Sequence, residues 1–176
     1  MSRFRSRAAI LSAVILCFCA GVAHAQTARP PAAFDVNAGL ATFTDEDPVE
    51  HFSIGAAPRF YVSPRVSVGP EFVYMIGPGE DRDFFLTGNV WFDFVEPPAS
   101  GVNRVTPYLV GGVGVMLHRD FLHNEGVKWF HKEVGFSGGF GVRVAVTERW
   151  YVAPEVRLGS ELHARLTGAI GFRLKR

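Results

Sequence analysis

Lysine is almost absent from this chain: Lys128, Lys132 and Lys175 are its only copies. The exterior of a water-soluble sheet normally carries many more. An excess of either charge is also lacking. The 18 Lys plus Arg and 17 Asp plus Glu leave a formal net charge of +1, which excludes the basic surface a nucleic-acid binder needs. Cysteine is confined to Cys17 and Cys19, so no disulfide can staple the rest of the chain. Long hydrophobic runs are missing beyond residue 25. The longest, Val105 to Leu117, contains one proline and three glycines in thirteen residues, and no segment shows helical periodicity, so a membrane helix is not expected there.

What the chain does have is 16 Phe, 19 Gly and 48% hydrophobic residues against 20% charged. That excludes disorder as the main state and suits strands, with glycine where backbones bend or approach closely. The first 25 residues stand apart. Arg3, Arg5 and Arg7 precede an uncharged stretch from Ala8 to Ala20, and Ala23-His24-Ala25 supplies the small residues a signal peptidase reads. The expectation is a secretory signal peptide over 1–25, cleaved between Ala25 and Gln26. Removal leaves 151 residues, fifteen basic and seventeen acidic, with no cysteine. A short Pro/Ala-rich lead over 26–33 follows, and then one domain, 34–176.

From Phe34 onward, apolar residues alternate with polar or small ones in eight segments: Phe34–Phe43, Phe52–Val62, Val66–Ile76, Phe84–Val95, Val105–Leu117, Glu133–Val146, Trp150–Leu158 and Leu162–Leu174. Period two sends alternate side chains to opposite faces of a strand. Short and long connections nearly alternate, as in up-and-down sheets with tight turns at one end and loops at the other. The predicted fold is all-β, an eight-stranded antiparallel up-and-down transmembrane β-barrel.

The apolar face is expected to meet lipid. Phe34, Phe60, Phe92, Phe94, Trp150 and Phe172 gather toward one end of the segments, and Phe52, Tyr74, Phe84 and Phe136 toward the other. Small or aliphatic residues lie between, which is the girdle pattern of a membrane barrel. A soluble lipocalin-like barrel is the rival reading of the same alternation. Pro58, Pro70 and Pro154 fall inside predicted strands, where each removes a ladder donor and asks for a bulge.

Two hairpins match at an offset of 84 residues: Arg59, Arg65, Pro70 and Glu71 correspond to Arg143, Arg149, Pro154 and Glu155. The spacing keeps Arg and Glu on the polar face, which an eight-stranded barrel turns into a narrow interior. Placing Leu158 opposite Leu162 sets Glu155 opposite Arg165, with Arg143 on its other side. The expected lumenal charge network therefore centres Glu71 and Glu155 within Arg59, Arg143, Arg157 and Arg165. It is either a plug of salt bridges or the lining of a narrow pore, and the width of eight strands favours the plug.

The runs Thr106-Pro107-Tyr108-Leu109-Val110-Gly111-Gly112-Val113-Gly114-Val115, Gly138-Gly139-Phe140-Gly141-Val142-Arg143 and Pro154-Glu155-Val156-Arg157-Leu158-Gly159 resemble the outer-membrane β-barrel domain family, the small eight-stranded OmpA/OmpX-type barrels. The resemblance covers nearly the whole chain after residue 25. It implies the outer membrane of a Gram-negative cell envelope, contact with outer-membrane lipid and lipopolysaccharide, and insertion by the barrel-assembly machinery. Such barrels usually end on an aromatic residue, whereas this chain ends Phe172-Arg173-Leu174-Lys175-Arg176.

Catalytic chemistry is not apparent. The His-x-Ser motif of lipid A deacylases is absent, because Ala164-Arg165 follows His163. A lipid A-modifying enzyme is the minor alternative, and no cofactor or metal is assigned. The predicted loop from Arg119 to Lys132, with its flanks, gathers His118, Phe121, His123, Trp129 and His131. Spacings of five and eight in a loop do not enforce ligand geometry. The loop is instead expected to dip aromatics into headgroups or to meet an unidentified extracellular partner. Two acidic loops, Asp45, Glu46, Asp47 and Glu50, then Glu80, Asp81 and Asp83, read as solvated charge; cation bridges to lipid headgroups are the alternative. The function expected is a non-catalytic barrel with a structural or surface-interaction role. A narrow, porin-like solute channel is the second reading.

Overall fold

The computed structural model describes residues 32–44, 48–96, 104–122, 127–160 and 163–174, with 120–122 and 127–130 as backbone only. The expected signal peptide, its Ala25–Gln26 cleavage site, His123 and the acidic residues 45–47 lie outside them. Eight strands run in chain order: β1 (Ala32–Phe43), β2 (Val49–Tyr61), β3 (Val66–Ile76), β4 (Arg82–Asp93), β5 (Val105–Leu122), β6 (Val127–Ala145), β7 (Trp150–Gly159) and β8 (His163–Leu174). Each pairs antiparallel with the next, and β1 pairs with β8, closing the barrel. Closure leaves no free sheet edge around the wall. Ala32 and Ala33 belong to β1, so the lead ends two residues before the sequence boundary at Phe34.

Alternation sets the two faces. In β1, Ala33, Asp35, Asn37 and Ala41 point in and are buried, while Phe34, Val36 and Leu40 point out. The same parity runs round the wall, so Leu109, Val113, Phe136, Phe140, Leu158, Leu166 and Ile170 are 47–66% exposed. A continuous apolar exterior of this extent on a monomer marks contact with something other than water.

One end of the barrel, the termini end, holds the start of β1, the end of β8 and the tight turns. Ser63 Oγ accepts the Val66 N–H at 3.1 Å, and Thr147 Oγ1 accepts the Trp150 N–H at 2.9 Å. These equivalent residues of the two matched hairpins therefore close their turns in the same way. The hairpins also share a register. Phe60 pairs with Val68 and Ala56 with Phe72; 84 residues later, Val144 pairs with Val152 and Phe140 with Val156.

The prolines need no bulge. The β2–β3 register is continuous from Phe60↔Val68 to Ala56↔Phe72, which sets Pro58 opposite Pro70. The two missing donors thus fall at a single gap in the ladder. Pro154 sits opposite Val142 in a similar gap.

The predicted loop from Arg119 to Lys132 is also different in form. β5 runs on to Leu122 and β6 starts at Val127, pairing through Asp120↔Trp129 and Phe121↔Lys128. β4 stops pairing at Arg119, so the hairpin stands clear of its neighbour by about 10 Å at 3.3 Å per residue.

Candidate functional site: the layered lumen

The polar face of every strand converges on the barrel axis, and the interior is built in layers. Near the termini, Arg59 on β2 is fully buried. Its Nε lies 3.0 Å from Asp35 Oδ2, and its Nη2 donates to Tyr151 Oη at 2.8 Å. Tyr151 Oη in turn donates to Asp35, closing a triangle. Across the lumen, Arg143 on β6 pairs with Asp93 on β4 and lies 3.9 Å over the Tyr108 ring. Trp91 completes this layer, 5.4 Å from the Arg59 guanidinium. Cations held over aromatic faces in a dry site gain from the ring quadrupole as well as from their carboxylates.

Glu71 on β3 centres the next layer. Its carboxylate accepts from Arg157 Nη1 at 2.7 Å, Arg165 Nη2 at 3.0 Å, Asn89 at 2.8 Å and Asn37 at 3.2 Å. Arg157 and Arg165 face each other across the β7–β8 ladder, and Glu71 holds these like charges together by bridging them. Glu155 accepts from Arg157 Nε at 2.5 Å and from Tyr108 Oη at 2.8 Å.

The six residues of the expected charge network are thus all inward and at most 8% exposed, but they do not form one ring. Arg157 and Arg165 gather on Glu71, whereas Arg59 and Arg143 sit a layer away with Asp35 and Asp93. Nor does Glu155 face Arg165. Leu158 pairs with Ala164, so Glu155 stands opposite Thr167. The expected register was two residues off, a slip that keeps every side chain on its face and so leaves no trace in the alternation. Asp35, Asp93, Asn37, Asn89 and Tyr108 were missed as partners; their inward parity was the available signal. Asp35, Glu71, Asp93 and Glu155 match Arg59, Arg143, Arg157 and Arg165 in number, while a fifth buried arginine, Arg173, is 4% exposed and lies 5.2 Å over the Tyr151 ring. Such pairing matters, because an unpaired buried charge is costly.

The gap among Asp35, Asn37, Glu71, Tyr108, Glu155 and Arg157 has room for about one water. Beyond it, Ala41, Val73, Met75, Phe85 and Met116 form an apolar layer.

The loop end holds the last layer. Asp83, expected as solvated charge, is 1% exposed, and its carboxylate contacts His51 and His118. His118 is not a loop residue: it sits on β5 with its side chain 15% exposed. His131, on β6, is exposed, and Phe121 and Trp129 belong to paired strands. Glu80 stays in solvent.

No protein-family profile and no curated protein matches the chain. Solved structures do. Neisserial surface protein A is similar at 13% identity and a TM-score of 0.69, over 82% of this chain and 97% of that one. The N-terminal β-barrel domain of Pseudomonas aeruginosa OprF is similar at 13% identity and 0.58, over 83% and 98%. Ail, the attachment invasion locus protein of Yersinia pestis, is similar at 11% and 0.52, over 80% and 94%. The fold is that of the small eight-stranded outer-membrane β-barrels, the OmpA/OmpX type.

Proposed function

We propose that the chain is an integral outer-membrane β-barrel whose lumen is a plug, and that it works through what its loop end presents. One observation carries this reading: a continuous apolar exterior surrounds an interior of paired charges, the inverse of a soluble barrel. Lipid and lipopolysaccharide then cover the exterior, and insertion needs the barrel-assembly machinery. The gap in the Arg–Glu layer has room for about one water and an apolar Met–Phe layer is stacked on it, which supports a non-conducting anchor over a porin-like channel. The reading is non-catalytic, with a lipid A-modifying enzyme as the minor alternative. The β5–β6 hairpin is the surface most available to an extracellular partner.

Two measurements test this. The chain should fractionate with the outer membrane and show heat-modifiable gel mobility; recovery in the soluble periplasmic fraction would sink the membrane reading. In planar bilayers the folded barrel should be silent. Steady openings altered by Glu71→Gln would instead make the charge layer the lining of a channel.

A further inference from the structure

The loop end of the lumen brings together donors that the plug does not use. His51, at the start of β2, is 3% exposed, and Asp83, on β4, is 1% exposed. Asp81 ends the turn between β3 and β4. His51 Nε2 lies 2.9 Å from Asp81 Oδ2 and 3.3 Å from Asp83 Oδ2, and ligand atoms of the three residues lie within 4.8 Å of one another. One imidazole nitrogen cannot donate its single proton well to two carboxylates.

A second observation points the same way. Asp83 Oδ1, the oxygen not facing His51, is held by His118 Nδ1 at 2.6 Å, which leaves Oδ2 directed at His51. The other nitrogen of His118 lies 3.9 Å from Glu133 Oε1, so His118 stands behind Asp83 as outer-shell support of the kind that orients a ligating carboxylate.

The local backbone is shaped for this cluster. Gly79 takes a positive φ of 61°, and the Gly77 N–H donates to Asp81 O at 3.1 Å, folding the turn back over the mouth. Arg82 Nη1 donates to Gly77 O at 3.0 Å and pins it. A Cβ at Gly77 would strike His51 Nε2 and lie 2.7 Å from Asp81 Oδ2, so glycine keeps the space beside the donors open. The Phe43 ring packs edge-on against His51 at 4.8 Å and closes the inner side.

We propose that His51, Asp81 and Asp83 bind one zinc-class divalent transition-metal ion, with His118 and Glu133 positioning Asp83. Donors around a tetrahedral zinc with bonds of about 2.0–2.1 Å stand roughly 3.3 Å apart, close to the His51–Asp81 and His51–Asp83 separations. Mixed imidazole and carboxylate donors select zinc, cobalt or nickel over calcium and magnesium, which take oxygen ligands. Three protein ligands leave a fourth position open at the loop end for water or a ligand from outside. The site lies inside the barrel wall and does not depend on what surrounds the wall.

The test is calorimetric titration of the untagged full chain, folded in detergent and stripped with chelator, using zinc chloride and then calcium chloride. One equivalent of zinc should bind, with calcium at least a hundredfold weaker. His51→Ala and Asp83→Asn should abolish uptake. His118→Ala should weaken it about ten- to a hundredfold, and His131→Ala should leave it unchanged. No saturable zinc uptake overturns the proposal, as does uptake that survives His51→Ala and Asp83→Asn, or calcium binding as tight as zinc. Heat-modifiable mobility checks that each variant folds. If His51→Ala does not fold, proton NMR of the cobalt-loaded unsubstituted barrel decides. A hyperfine-shifted, exchangeable imidazole N–H supports the site, and its absence refutes it.

Discussion

At Glu71, two guanidiniums and two side-chain amides meet one carboxylate that is 1% exposed. Removing that charge leaves Arg165 buried beside Arg157 with nothing between them. Glu71→Gln should therefore lower stability by about 3–5 kcal/mol, read from the urea midpoint of the folded barrel in vesicles. The double variant Glu71→Gln with Arg165→Met should recover most of that loss, since Arg157 keeps Glu155 and no lone cation remains. Additive effects would show that the pair is not coupled. Which residues enter the lumen was legible from parity alone, and Arg59, Glu71, Arg143, Glu155, Arg157 and Arg165 all point inward. Which arginine meets which acid was not. That depends on the stagger of strands around the wall, and a two-residue slip such as Leu158↔Ala164 for Leu158↔Leu162 leaves the hydrophobic pattern unchanged.

Between neighbouring strands, large aromatics lie on glycines. Tyr151 on β7 pairs with Gly171 on β8, and Tyr108 on β5 with Gly141 on β6. A Cβ at Gly171 would overlap the Tyr151 ring, and that ring carries the hydroxyl that joins Arg59 to Asp35. Gly171→Val should thus displace Tyr151 and destabilise the barrel by about 1–3 kcal/mol. In a Tyr151→Phe background part of that penalty should vanish, because the hydroxyl has no partner left to lose. The β5–β6 hairpin belongs to this scale too. The sequence shows eight strands because alternation marks the apolar band, but it conceals the hairpin's length. The period-two signal fades past the apolar band, while the backbone ladder continues through Leu122↔Val127. Deleting residues 121–128 should leave heat-modifiable folding intact, since the ladder below Arg119↔Phe130 is untouched and loop length changes closure entropy only slowly. Loss of folding would mean that the hairpin tip is part of the barrel's stability.

For the molecule as a whole, the decisive property is the sign of the exterior. The lumen is filled by charged and aromatic side chains, so outward-facing residues such as Val113, Leu166 and Ile170, each 59–60% exposed, have no interior to join. They are stabilised only if the medium outside is apolar. Val113 pairs with Gly88 and Phe136 near the middle of the wall, whereas Phe60 lies beside the turn at the termini end. Depth therefore separates the two in a bilayer. Val113→Arg should destabilise the barrel folded in vesicles by about 2–4 kcal/mol, and Phe60→Arg by about 0–1 kcal/mol. On a water-facing wall both changes should stay within about 0.5 kcal/mol, as surface substitutions do. A gradient with depth would place the wall in lipid, and equal small effects would place it in water. The comparison reads the surroundings of the barrel from the barrel itself, without reference to any relative.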